Sequence, residues 1–382
     1  MDNITAKIKG IKYTPLLCGK LRVFDIKSLD KALATTAAFI LNVINEQQLY
    51  GKSQIALSWW VSAKRTRSYP YARVYDTLGF AGRKVTLIPI VKDEGADGDR
   101  DFLQWDTVSL MSLLGVYVII GYYSDAEKNR NYAYKITNQR YDIQYLEKEI
   151  RELLSYQSDA LHWNLSQLEK AGEIGEKAIA AYENISKKLG VKMHSLDSAK
   201  ERFEELNESR DAFLNLSRES AEKAQKRESV TIQPKEQLEE GHKARITITN
   251  FLGGKYFFTC DEARIKGNEL HLIEGKHTSE KKLPSLNDIK DGLIKMILFT
   301  NLLDVKVGDQ AYNPVPILKL TTGHSINAWL LSSKEKDFLK LLEQESKVNN
   351  FKILLNGKDL AYYSKPYKTL PQENFHFHNL DI

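Results

Sequence analysis

One dipeptide constrains this chain more than any other stretch: Gly267-Asn268, set between two alternating runs in the segment from Lys255 to Thr278. A Gly-Asn pair in that setting signals a two-residue hairpin turn, in which one or both central positions adopt positive φ. With Lys266 and Glu269 flanking the turn, pairing back along the strands puts Asp261 opposite Glu274. Side chains alternate with period two, so one face carries Asp261, Ala263 and Ile265 from the first strand. Leu270, Leu272, Glu274 and Lys276 join it from the second. The face is apolar with a charged end. Directly opposed residues have Cβ atoms about 4.5–5.5 Å apart, close enough for two carboxylates to share one hard cation. The Gly275 carbonyl is a further oxygen ligand, and Lys276 is placed to orient or help deprotonate a water.

The Glu-x-Lys string alone decides nothing. It recurs at Glu280 and Glu345, and Asp-x-Lys occurs at Asp25, Asp288 and Asp304. Context separates them, because none of the others has an Asp placed opposite by a two-residue turn. The bland alternative is an ordinary hairpin with a cross-strand charge cluster at its exposed end.

Asp261, Glu274, Gly275 and Lys276 together resemble the PD-(D/E)xK nucleases, the superfamily that includes most type II restriction endonucleases. Cys260 stands where the family's name has Pro. The resemblance implies a restriction-endonuclease-like core, a mixed sheet flanked by helices, over about the last 150 residues. It further implies a sequence-specific double-stranded DNA endonuclease with one or two Mg²⁺ ions held by Asp261, Glu274 and Gly275. Asp261, Glu274 and Lys276 would be catalytic, and the products would carry 5′-phosphate and 3′-hydroxyl ends. A homodimer and a cognate DNA methyltransferase in the same restriction-modification system are expected partners. In the family a helix precedes the catalytic strands and sometimes lends an acid; Glu219, Glu222, Glu236 and Glu239 all qualify. The alternatives are a repair or defence nuclease without tight sequence preference, and a noncatalytic DNA-binding or scaffold protein.

Composition permits this without demanding it. At 382 residues, 42% hydrophobic and 27% charged, the chain has ample material for a core and for two or three units. Its net charge of +5 is mildly basic, so a local patch matters more than the sum. Two cysteines, Cys18 and Cys260, are too few for a disulfide scaffold or a Cys-rich zinc site. No signal-peptide core opens the sequence, and the longest apolar run, Leu110 to Tyr123, falls short of the ~20 residues of a membrane span. A cytoplasmic location is expected. No P-loop, Gly-x-Ser-x-Gly elbow or His-Glu-x-x-His is present.

The overall class is mixed α/β (α+β) in three regions. Residues 1–140 read as an α/β domain, a candidate for DNA recognition. A helix is expected from Leu29 to about Gln47, with strands at Gln54–Val61, Lys84–Val91 and Val116–Tyr122 and a helix at Trp105–Leu114. Within it, cations interleave with aromatics from Trp59 to Arg73, which marks Lys64, Arg65, Arg67 and Arg73 as DNA-contact candidates. The acidic loop from Asp93 to Asp101 lacks an EF-hand's Gly and Glu, since Phe102 and Val108 stand there. A turn leading into a helix N-terminus explains it better.

Residues 141–232 read as long helices, a spacer, clamp or dimerisation element. Apolar positions run from Ile143 to Leu168 and from Ile174 to Leu189, where Gly190 supplies a stop, and a third stripe follows from Ala199 to Ala224. Residues 233–382 return to strands, with a helix capped by Ser285, a strand at Pro316–Leu320, a helix at Ser333–Gln344 and a strand at Phe351–Leu355. His277 is assigned to the face opposite Lys276, and His376 and His378 to an incidental role.

Overall fold

The computed structural model describes residues 3–44, 52–63, 68–195, 199, 242–249, 255–280, 282–323, 331–360 and 363. The chain is a mixed α/β protein. In order it forms β1 (Asn3–Lys7), β2 (Arg22–Asp25), α1 (Leu29–Thr35), β3 (Ala38–Ile44), β4 (Lys52–Trp59), α2 (Ser68–Thr77), β5 (Arg83–Pro89), β6 (Val91–Asp93) and β7 (Arg100–Phe102). Next come α3 (Trp105–Leu113), β8 (Tyr117–Gly121), β9 (Tyr123–Lys128), β10 (Ile136–Tyr141), α4 (Ile143–Ser155), α5 (Ala160–Glu169) and α6 (Ala171–Leu189). The remaining elements are β11 (His242–Thr249), β12 (Lys255–Lys266), β13 (Glu269–Thr278), α7 (Leu286–Phe299), β14 (Leu303–Val307), β15 (Gln310–Ala311), β16 (Asn313–Thr322), α8 (Ser333–Val348), β17 (Lys352–Leu355) and β18 (Lys358–Asp359).

The first sheet has the order β2-β3-β4-β5-β8. Its second strand corrects the sequence expectation, because the helix begun at Leu29 stops at Thr35 and Ala38–Ile44 is extended. Apolar positions there suit a helix locally. The Phe-Ile-Leu-Asn-Val-Ile run, however, lies between two partner strands and buries Phe39, Leu41 and Val43. Strand propensity and sheet packing outweigh helical spacing. Likewise, the acidic loop joins β6 to β7 as a small hairpin rather than opening a helix. Asp93 is buried in it, accepting from the Gly95 amide at 2.9 Å and lying 2.8 Å from His194 Nδ1.

The apolar stripe from Ile143 to Leu168 forms two helices, not one, with Asp159 restarting the run by capping α5 through the His162 amide. Side chains of α5 then close the outer edge of β8. Asn164 Oδ1 accepts from the Val118 amide at 2.7 Å, Gln167 Oε1 from the Ile120 amide at 3.1 Å, and Trp163 Nε1 donates to the Val118 carbonyl at 2.7 Å. Backbone groups that a further strand would satisfy are thus paired by a helix. Gly190 ends α6 in the left-handed conformation at φ 62°, as its position predicts. The third helical stripe, from residue 200 onward, lies outside the described residues, as do Glu219, Glu222, Glu236 and Glu239.

The larger sheet has the order β15-β14-β1-β11-β12-β13-β16-β17-β18, so the first strand of the chain lies beside β11 in parallel. Only Tyr312 separates β15 from β16, although five strands lie between them in the sheet. One intervening residue spans at most about 7 Å, so the sheet must curl until those strands meet. Helix α7 packs on β13 and β16 and is itself covered by α2. Ser285 caps α7 at the Asp288 amide as expected. Ile289, Leu293, Met296 and Ile297 are buried beneath it with Leu270, Leu272, Leu318 and Leu320. Lys290 of the same helix is 3% exposed and paired at 2.5 Å with Asp76 of α2.

Candidate functional site

The hairpin forms in the expected register. Lys266 pairs with Glu269, and the ladder continues through Ile265/Leu270, Arg264/His271 and Ala263/Leu272 to Glu262/Ile273. Gly267 has φ 60°, the positive value the turn requires.

On its other edge, β12 pairs His242 with Ala263 but Ala244 with Cys260, so Asp261 and Glu262 together oppose Lys243 alone. This is a β-bulge, a device that re-aims side chains. Before it, Tyr256, Phe258 and Cys260 point into the core; after it, Ala263 and Ile265 share the face of Leu272 and Leu270. Asp261 is thereby turned toward β13, where it accepts from the Gly275 amide at 2.7 Å. Glu262 turns to the opposite face, fully buried against Arg264 and 3.6 Å from Lys319 Nζ. Cys260 is fully buried and its thiol is pushed up to about 12, chiefly by burial, so it is inert at neutral pH.

Four more charges complete the cluster. Glu274, 4% exposed, takes Lys276 Nζ on Oε1 at 3.0 Å. Its Oε2 is buried with no hydrogen-bond donor among the described residues; Lys295 Nζ stands 3.6 Å away. Lys276 Nζ also reaches Asp291 Oδ2 at 2.5 Å, and Lys295 Nζ donates to the Thr259 carbonyl at 2.8 Å. Asp291 and Lys295 come from α7, one turn apart. Gly292 between them lets α7 come close: a Cβ there would meet Leu318 Cδ1 at 2.6 Å and the Lys276 stem at 3.3 Å, so the Leu318 side chain would have to shift.

Burial opposes every charge here, and the neighbours decide the outcome. For Glu274 the two lysines, Lys295 before Lys276, outweigh burial and hold the carboxyl below its usual range. Burial pulls Lys276 down, but Glu274 and Asp291 override it and keep the ammonium protonated. Lys276 therefore acts as a fixed cation, not as a base. Asp291 is raised, by burial first. Asp261 is raised to about 7 by burial and then by Glu274.

That last shift has a measurable consequence. Asp261 binds its proton more tightly folded than unfolded between its ordinary value of 3.8 and about 7. Stability therefore falls as pH rises through that window, and the full penalty stands above it. Asp261→Asn should gain about 2–4 kcal/mol at pH 8 and almost nothing at pH 4. Urea unfolding at the two pH values checks this; equal effects at both would remove the charge burden.

The donor set suits a modest cation site. Mg²⁺ is typically held by one or two carboxylates, with waters and substrate phosphates filling its shell. Asp261 and Glu274 supply two hard oxygens, and Glu274 Oε2 accepts no hydrogen bond among the described residues, with Lys295 Nζ 3.6 Å from it. The third carboxylate, Asp291, is spent on Lys276. Among the described residues no group of three or more His, Cys, Asp or Glu side chains is arranged to hold a metal ion.

Of the DNA-contact candidates, Lys64, Arg65 and Arg67 lie outside the described residues. Arg73 is half-buried. Its guanidinium donates to the Trp59 carbonyl at 2.7 Å and lies over the rings of Trp59 and Tyr69 at 4.5 and 4.9 Å, fastening α2 to the end of β4. His277 is exposed and sits 2.9 Å from Thr321 Oγ1, away from Lys276. His376 and His378 are outside the described residues.

Sequence reasoning missed Asp291 and Lys295. The available signal was their i, i+4 spacing around a mid-helix Gly, which usually marks a close approach. Comparison with family models, curated proteins and solved structures returned no match. No described helix is long and apolar enough to cross a membrane.

Proposed function

We propose that the chain is a Mg²⁺-dependent, sequence-specific double-stranded DNA endonuclease of the PD-(D/E)xK type, with a restriction-endonuclease-like core in residues 233–382. The observation that carries this is the convergence of Asp261, Glu274 and Lys276 at one end of a bulged hairpin, with a buried carboxylate oxygen left undonated. A mixed sheet packed by α7 and α8 adds support.

Asp261 and Glu274 would hold the cation, with the Gly275 carbonyl as a further ligand. When bound, Mg²⁺ polarises the phosphoryl group and acidifies its water. Lys276, clamped by Glu274 and Asp291, presents a permanent positive charge where negative charge grows on the attacked phosphate. Lys64, Arg65 and Arg67 grip phosphates or base edges, while Arg73 ties α2 to the end of β4. A homodimer would match a palindromic target, and a cognate methyltransferase would protect the host.

Digestion of unmethylated phage DNA in Mg²⁺ tests this. Discrete fragments with 5′-phosphate ends, absent in EDTA, are expected. Scattered cuts would favour a nuclease without tight sequence preference. Intact DNA that the protein nonetheless binds would favour the noncatalytic alternative.

A further inference from the structure

The cluster sets two lysines against three carboxylates, Asp261, Glu274 and Asp291. Lys276 is committed at both ends, to Glu274 Oε1 and to Asp291 Oδ2. Lys295 is held differently. Among the described residues it donates to a neutral acceptor, the Thr259 carbonyl, while its charge stands 3.6 Å from the undonated Glu274 Oε2. Its side chain is 24% exposed against 5% for Glu274. An ammonium so placed neutralises a buried carboxylate without saturating it, and it occupies the space beside the oxygen that a metal ion would take.

We infer that Lys295 is an internal counter-cation that stands in for the divalent ion at Glu274 Oε2 and is displaced when that ion binds. The inference rests on the cation-site reading of Asp261 and Glu274. A fixed positive charge beside the site repels a second one, so the DNA-free protein holds metal weakly. A bound phosphate gives the displaced ammonium a new partner. Loading of metal is thereby coupled to the presence of nucleic acid, which protects bystander DNA from a pre-armed enzyme.

Mn²⁺ binding to the DNA-free full chain, followed by the loss of its free-ion EPR signal, gives a readout independent of cleavage. Lys295→Met should bind Mn²⁺ roughly tenfold or more tightly than wild type, a gain of the size one removed neighbouring charge confers. Lys295→Gln, which retains a donor to the Thr259 carbonyl, should do the same, and Lys295→Arg should resemble wild type. Circular dichroism verifies that each variant is folded, and the milder Gln change carries the test if Met fails. Wild-type binding with equal or weaker binding in folded Lys295→Gln would overturn the inference alone and make Lys295 a support for Glu274. Absence of binding in wild type and every variant, with or without phosphate, would remove the cation site and the inference with it.

Discussion

Glu345→Ala is expected to lose at least about 4 kcal/mol of stability, a large share of the roughly 5–15 kcal/mol that a folded chain has. The Glu345 carboxylate is fully buried and accepts four hydrogen bonds: from Tyr13 Oη at 2.7 Å, Tyr75 Oη at 2.5 Å, and the amides of Leu16 and Leu17 at 2.8 and 3.0 Å. Burial and then this carboxylate push both phenols far above their ordinary pKa, so they remain donors. Four residues further along, Asn349 exchanges two hydrogen bonds with the backbone of Thr14. Residues 13–17 thus run as a strap fastened by side chains to the C-terminal end of α8. Truncation orphans three donors, the Tyr13 and Tyr75 hydroxyls and the Leu16 amide, each costing about 1–3 kcal/mol if water cannot reach it, and leaves the Leu17 amide its longer bond to Tyr75 Oη at 3.3 Å. Glu345→Gln should lose less, since its carbonyl still accepts. Urea unfolding measures both, and a loss under about 1 kcal/mol in Glu345→Ala would mean the strap is held elsewhere.

Lys276→Met should lower cleavage by about 10²–10³-fold, the usual scale for removing a fixed positive partner of a developing charge. It should also destabilise the fold, by about 3–5 kcal/mol at neutral pH, because Glu274 and Asp291 are left as buried carboxylates without their shared cation. The two losses separate. Acid neutralises the stranded carboxylates, so the stability deficit shrinks as pH falls. Adding Asp291→Asn should recover part of the stability and none of the activity. Recovery of both would recast Lys276 as a purely structural cation.

The hairpin was legible because its rules are local: a Gly-Asn turn sets the register, and the register delivers Asp261 and Glu274 to one end. The Ser285 cap and the Gly190 stop were legible for the same reason. Features that depend on distant chain were not. The bulge that aims Asp261 is imposed by β11, and nothing in residues 255–278 signals it. Asp291 and Lys295 matter only because α7 folds back across β13 and β16. Ala38–Ile44 became a strand because neighbours on both sides made it one, against its helical spacing. Glu345 ends a helix with an unremarkable Glu-x-Lys string, and only the fold reveals the strap it holds.

Asp261, Glu274 and Lys276 are proposed to form a working phosphodiesterase site. Its most direct measurement is single-turnover cleavage of unmethylated DNA in Mg²⁺ by wild type and by Glu274→Ala, with DNA affinity recorded alongside. The expected result is cleavage by wild type, loss of at least about 10³-fold in the variant, and comparable DNA binding by both in EDTA. Equal cleavage by the two proteins would contradict the site, and DNA binding by both without cleavage by either would contradict the chemistry.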